Sequence, residues 1–255
     1  MKAEVKILIE GFTNADSVAE AGEEKTWPTI SLVRDGDLTI VVDPGSLKSQ
    51  QLLIDALAEE GLTVNDIDIV CITHSHIDHY RNIGMFPEAK TLEFYGLWDK
   101  DTVADWSERF TTNIQVLRTP GHDYTGITLF ADTNNGVVAI CGDVFWKENY
   151  PQEPQYDAFA SDTKKLLESR KIVLRTADWV IPGHGGIFSA RKEKAELASS
   201  EARKEKKKKT NIVVTCRKCG RVMEAEESCT CRPWLCFRHC ECGFDCEFCG
   251  CSHKR

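Results

Sequence analysis

No apolar run in this chain approaches the roughly 18 residues that a membrane span requires, and residues 1–17 alternate apolar with charged side chains. Nothing here reads as a signal peptide or an anchor, so a cytoplasmic protein without a membrane partner is expected. Positive charge is short in the first three quarters: residues 1–190 carry 16 Lys+Arg against 30 Asp+Glu, a net of −14. Such a surface opposes long polyanions unless bound cations or another segment overcome it. Cysteine is also scarce there, since only Cys71 and Cys141 precede residue 216. No Ser-His-Asp or Cys-His arrangement suggests nucleophilic catalysis. Cys141 sits in an apolar strand and reads as a buried, inert thiol.

What the first part lacks, the last part has. Residues 191–255 hold 16 Lys+Arg and 10 Asp+Glu, a net of +6, together with ten of the twelve cysteines. Charge and cysteine therefore agree on a division. Residues 1–190 form one domain, 191–211 a basic and helical linker, and 212–255 a cysteine-rich module.

Within the first domain, Thr29–Arg34 and Leu38–Val42 flank Asp35-Gly36, a hairpin signal. Ser49–Glu60 carries Leu52, Leu53, Ala56 and Leu57 at helical spacing, with Gly61 as its stop. Ser161–Thr176 repeats that stripe, with Ser161 or Asp162 as N-cap, whereas Trp98–Phe110 reads as helix or loop. Residues 188–209 read as a solvated helix. Four apolar strands each deliver polar residues to a loop. Ile67–Thr73 ends at His74, Ile114–Leu117 leads to His122, Val137–Cys141 to Asp143, and Asp178–Ile181 to His184. Strand ends that converge in this way build a site at one rim of a sheet.

His74, His76, Asp78 and His79 form an H-x-H-x-D-H run, which places three imidazoles and a carboxylate on one short loop. A single loop histidine is usually plain surface chemistry, but all five histidines of this domain lie at predicted strand ends. Clustering of that kind points to metal ligation, and the ligand types suit zinc, with iron or manganese as alternatives.

THSHIDH, TPGH, CGD and VIPGHG, taken together over about residues 5–190, resemble the metallo-β-lactamase superfamily. The resemblance implies an α/β fold, an αββα sandwich with the site at its edge. It also implies that His74, His76 and His122 hold one metal, Asp78, His79 and His184 a second, and that Asp143 bridges them. A zinc-bridged hydroxide would be the nucleophile, and Asp78 would orient it and accept its proton. Asp43, in Val41-Val42-Asp43-Pro44-Gly45, would support the ligands, although Asp-Pro-Gly is also ordinary turn chemistry. The stretch His79–Phe86 and the pairing of Gly142–Phe145 with Pro182–Gly185 are similar to the group of metallo-β-lactamase-domain-containing protein 1, from which Arg81 departs. That likeness implies RNA hydrolysis. Tyr80, Asp123, Tyr124, Trp146 and Tyr150 follow the ligand loops and are candidates to line the substrate pocket.

The tail contains Cys216, Cys219, Cys229, Cys231, Cys236, His239, Cys240, Cys242, Cys246, Cys249, Cys251 and His253, enough for two to three tetrahedral zinc sites. Cys216, Cys219, Cys229 and Cys231 have ribbon-like spacing, while the partition of the others is open. An iron–sulfur cluster is the alternative metal reading. Lys204 and Lys206–Lys209 supply a nucleic-acid contact or, more simply, a solvated tether.

The leading function is a metal-dependent hydrolase of a small ester, thioester, amide or phosphodiester. The alternatives are an RNA-processing nuclease, an iron-dependent persulfide dioxygenase and a non-enzymatic metal-binding scaffold. Oligomeric state is not legible.

Overall fold

The computed structural model describes residues 1–15, 24–148 and 157–191, with two short strands at 213–215 and 222–224. It divides into two compact units, Met1–Ala195 and Glu196–Arg255. In the first unit the chain runs through β1 (Glu4–Ile9), β2 (Phe12–Thr13), β3 (Thr26–Trp27), β4 (Ile30–Asp35), β5 (Leu38–Val42), α1 (Gln51–Glu59), β6 (Ile69–Cys71) and α2 (Ile77–Tyr80). It continues through β7 (Lys90–Glu93), β8 (Gly96–Asp99), β9 (Thr102–Ala104), β10 (Ile114–Arg118), β11 (Ile127–Thr133), β12 (Gly136–Ile140), α3 (Thr163–Thr176), β13 (Trp179–Ile181) and β14 (Phe188–Ser189).

Two sheets form the centre. One has seven strands in the order β1-β4-β5-β6-β7-β8-β9, and the other has five in the order β10-β11-β12-β13-β14. Strands β4, β5 and β6 are apolar on both faces, as a doubly covered sheet demands. Val33, Ile40, Val42, Ile69 and Cys71 point into the layer shared with Ile114, Val116, Ile127, Leu129 and Ile140 of the second sheet. The alternate residues Ile30, Leu32, Val41 and Val70 pack outward against Leu53 and Leu57 of α1. On the far side, Leu166 and Val173 of α3 cover Phe130, Ala139 and Val180. The layers are therefore helix, sheet, sheet, helix. Each fully buried aliphatic side chain contributes about 1.5–3 kcal/mol of transfer free energy, so the inter-sheet layer dominates the stabilisation.

Several local expectations change. The first hairpin pairs Asp35 with Leu38, so its loop is Gly36-Asp37 rather than Asp35-Gly36. Trp98–Phe110 contains no helix: β8 and β9 pair antiparallel through a turn in which Lys100 takes a φ of 57°. Trp98 Nε1 donates to Glu93 Oε1 at 2.7 Å, which ties this segment to the sheet. Asp162, not Ser161, caps α3, its Oδ1 accepting from the N–H groups of Lys164 and Lys165 at 3.0 Å. Residues 188–189 are strand rather than helix, because Phe188 has a place beside Val180 in the sheet and is buried there.

In the second unit, β15 (Val213–Thr215) and β16 (Val222–Glu224) pair antiparallel. Tyr150, the linker from residue 192, Cys216, Cys219 and the other expected tail ligands as far as His253 lie outside the described residues. No helix among the described residues is long and apolar enough to cross a membrane.

Candidate metal centre

Strand direction explains why the polar residues meet. β5 and β6 are parallel, as are β12 and β13, and β10 runs the same way as β12 because β11 is antiparallel to both. Each sheet thus delivers the C-terminal ends of its strands to one rim. His74 follows β6, His76 precedes α2, and Asp78 and His79 lie on it. His122 follows β10, Asp143 occupies a single helical turn (Gly142–Val144) after β12, and His184 follows β13.

All seven side chains come together in two groups. His74, His76, His122 and Asp143 form one, and Asp78, His79 and His184 the other, with one potential ligand atom from each member within 4.8 Å of its group's others. Asp143 faces both: its Oδ2 is 3.2 Å from His122 Nε2, its Oδ1 is 3.4 Å from His79 Nε2, and both oxygens are 3.3 Å from His184 Nε2. Across the first group, His76 Nδ1 is 3.1 Å from His74 Nε2 and 3.0 Å from His122 Nε2.

Four of the five imidazoles have a partner on the nitrogen turned away from the groups, and His76, which faces its group through Nδ1, is the other. Asp43 Oδ2 is 2.8 Å from His79 Nδ1, Asp157 Oδ2 is 2.8 Å from His122 Nδ1, and the Trp27 carbonyl is 3.0 Å from His184 Nδ1. Thr73 Oγ1 donates to Asp43 Oδ2 at 2.6 Å and is thereby left to accept from His74 Nδ1 at 3.1 Å. All four partners are acceptors, so they place the proton on Nδ1 and leave the Nε2 lone pair facing inward. That is the tautomer a ligand needs.

The inward atoms are in the opposite condition. His79 Nε2 and Asp143 Oδ1 are buried without a hydrogen-bond partner. Such orphans are costly, and a shared cation satisfies both. The donor set, imidazoles with carboxylates, fits zinc and the other divalent transition metals.

Charge follows the same geometry. Burial, with the neighbouring imidazoles of His79 and His122, holds His74 well below the usual histidine range, and burial also lowers His76. Burial opposes the charged form of Asp143, but His184, His79 and His122 outweigh it and hold the carboxyl well below its ordinary value. For His79 burial also opposes charge, yet Asp43 and Asp143 prevail and raise it. The pattern is a buried carboxylate surrounded by groups competing to supply positive charge.

Two glycines make room. Gly142 has a φ of +50°, and a Cβ there would strike Thr73 Oγ1. A Cβ at Gly183 would fall on Asp143 Oδ1.

A cavity of about 280 Å³ opens onto the centre, walled by Ile77, Trp146, Phe159, Thr13, Thr26 and Glu24. Thr26 Oγ1 donates to Asp78 Oδ2 at 3.2 Å. Of the expected pocket residues, Trp146 lines this cavity, whereas Tyr80 and Tyr124 line a separate cavity of about 260 Å³ with Tyr95 and Phe94. Asp123 is used internally, accepting from Thr125 and, at 3.2 Å, from Ser75 Oγ. Residues the motifs did not reveal are Thr26, Thr73 and Asp157. Thr73 adjoins His74 and was accessible to inspection, whereas Asp157 has no motif around it.

A model of the metallo-beta-lactamase superfamily matches residues 28–102. Metallo-beta-lactamase domain-containing protein 1 of Xenopus laevis is 29% identical over 210 residues, covering 78% of this chain and 86% of that protein. The Homo sapiens protein of the same name is 33% identical over 171 residues, and the match spans 62% of each chain. A Probable metallo-hydrolase of Methanocaldococcus jannaschii is 30% identical over 152 residues, 58% of this chain and 71% of that one. Among solved structures, a metallo-beta-lactamase family protein from Thermus thermophilus superposes with a TM-score of 0.55 at 19% identity, over 79% of this chain and 81% of that one. An N-acyl homoserine lactone hydrolase with product at its catalytic metal centre gives 0.53 at 16% identity, over 72% and 92%. At these identities the structural likeness concerns the fold alone.

Proposed function

We propose a hydrolytic function from one premise: the chain belongs to the metallo-beta-lactamase superfamily. The reading is a metal-dependent hydrolase of small molecules that works with two metal ions. The observation that carries it is Asp143, whose carboxylate lies between the two ligand groups and approaches imidazole nitrogens of both. His74, His76 and His122 would hold one ion, Asp78, His79 and His184 the other, and Asp143 both. Zinc is the leading metal. Ions bound in such a site supply Lewis acidity and lower the pKa of water from 15.7 to about 7.

The chain's own residues supply the rest. Asp143 would hold both ions and screen the repulsion between them. Asp78 has its Oδ2 steadied by Thr26 and lines the cavity, so it can orient a water and take its proton. Asp43 and Thr73 hold His79 and His74 in the ligating tautomer. Ile77, Trp146 and Phe159 give the substrate an apolar wall, and Trp146 and Phe159 lie ring against ring at 5.6 Å.

Small substrates are favoured over RNA by the cavity itself. Beside the carboxylates assigned to the metals its walls carry Glu24, and no Lys or Arg lines it among the described residues. Apart from the metals themselves, nothing in these walls would hold a phosphate chain, and the −14 charge of residues 1–190 opposes a long polyanion. A panel of uncharged esters, thioesters and lactones beside cephalosporins and short RNA tests the reading, each assayed before and after chelation and zinc return. Chelator-sensitive turnover of the uncharged acyl compounds is expected. Chelator-sensitive cleavage of RNA alone would transfer the assignment to a nuclease.

Residues 212–255 belong to the same proposal as a zinc-stapled module, supported by ten cysteines and two histidines in a segment too short for an apolar core.

A further inference from the structure

We infer that Asp157 is a positioning residue for the His74–His76–His122 position: its carboxylate fixes the tautomer and aim of His122, so that Nε2 is presented to the metal. The inference rests on the metal-centre reading above.

Asp157 Oδ2 lies 2.8 Å from His122 Nδ1, and its side chain is completely enclosed. The second oxygen is also held, since Oδ1 accepts from the Phe159 N–H at 3.0 Å and the Asp157 carbonyl accepts from Ala160 N–H at 3.2 Å. The residue's own turn therefore aims the carboxylate. An ionised carboxylate can only accept, so the shared proton sits on Nδ1 and the lone pair on Nε2. That Nε2 is the atom 3.2 Å from Asp143 Oδ2 and 3.0 Å from His76 Nδ1. Trp146 Nε1 approaches the same Nδ1 at 3.4 Å, but a nitrogen that donates cannot also accept, and the shorter contact prevails.

A carboxylate buried this deeply needs positive charge nearby. The buried Arg170 supplies it. Burial pulls its guanidinium down to about 10 while the Asp157 charge raises it, so it remains a cation at neutral pH. Its Nε donates to the Val144 carbonyl at 2.9 Å and its guanidinium lies over the Phe145 ring at 4.8 Å, which hold it in place. Asp157 stands behind His122, whereas Asp43 holds His79 directly and His74 through Thr73. Asp157 is therefore the carboxylate through which the His74–His76–His122 position is perturbed by itself.

Asp157→Asn is the discriminating change. To keep the Phe159 contact, the amide oxygen must stay where Oδ1 is, which turns the NH₂ toward His122. A donor there requires Nδ1 to accept, moves the ring proton to Nε2 and blocks the ligand lone pair. Stepwise zinc affinity by chelator competition should then show one position weakened about 10- to 100-fold and the other unchanged. The visible spectrum of the cobalt-loaded protein should change as well, which a merely structural role of the turn would not bring about. Both affinities within about threefold of the parent, with an identical cobalt spectrum, would overturn the inference and leave the metal reading standing. A parent protein that takes up no zinc would instead remove the metal reading and this inference with it. Should the variant not fold, histidine nitrogen NMR of the unaltered zinc-loaded protein decides: His122 protonated at Nδ1 and ligated through Nε2 is expected, and ligation through Nδ1 would refute the role.

Discussion

Asp43 Oδ2 lies 2.8 Å from His79 Nδ1, while the same carboxylate accepts from the Thr73 N–H at 2.8 Å and from Thr73 Oγ1 at 2.6 Å. One buried anion therefore ties the end of β5 to the loop after β6 and sets a ligand's tautomer. Asp43 also takes a φ of 51°, a left-handed conformation that Asp and Asn tolerate better than most residues. Asp43→Asn is the appropriate test because it preserves that tolerance and removes the charge. The expected outcome is that the zinc ion on the His79 side is bound about 10- to 100-fold more weakly and the one on the His74 side also weakens, because Thr73 loses its carboxylate partner, both read by chelator competition.

Gly183→Ala should damage the centre without touching a ligand. The new methyl falls on Asp143 Oδ1, the oxygen directed at His79 and His184, and the surrounding strands leave little freedom to yield. Metal content per folded chain should drop, and thermal stability should fall by about 1–3 kcal/mol as for other overpacked sites. Gly84→Ala, where a Cβ meets nothing within 4 Å, is the control.

Asp143→Ala should lower metal content and hydrolysis together. Removing the carboxylate that faces both groups leaves two cations with less screening between them. A variant that retained two metals and full turnover would refute the bridging assignment.

The acid limb of stability should depend on Glu60. Lys6 and then Arg34, which donates at 3.0 Å, hold the Glu60 carboxyl below its ordinary value. Its folded pKa is thus below the unfolded one, so its contribution is complete above about pH 4.3 and is lost as the pH falls through the folded value. The difference in Tm between the parent and Glu60→Gln should therefore shrink between pH 6 and pH 3. A difference that stayed constant would contradict the assignment.

Much of this centre was legible because its ligands obey simple rules. An apolar β-branched run that stops at His74 or Asp143 announces a strand end, and parallel strands bring such ends to one rim. The hairpin of β4 and β5 was likewise legible from its turn signal, with the loop shifted by one residue. What was hidden depended on long-range contact. Asp157 meets His122 across 35 residues with no local pattern to mark either as a partner. Tyr80 and Tyr124 follow ligand loops as Trp146 does, yet only Trp146 faces the metal cavity, because loop direction after a strand end is set by packing rather than by adjacency. Residues 188–189 carried no strand signal of their own. Their conformation comes from the open edge beside β13.

The central claim is that the first unit alone assembles a two-metal centre. Elemental analysis of residues 1–195, purified after zinc supplementation and dialysed against metal-free buffer, tests it most directly, since all seven ligands lie within that unit. About two zinc ions per folded chain are predicted. A folded protein that retains no metal, or a single iron in place of the zinc pair, would contradict the account.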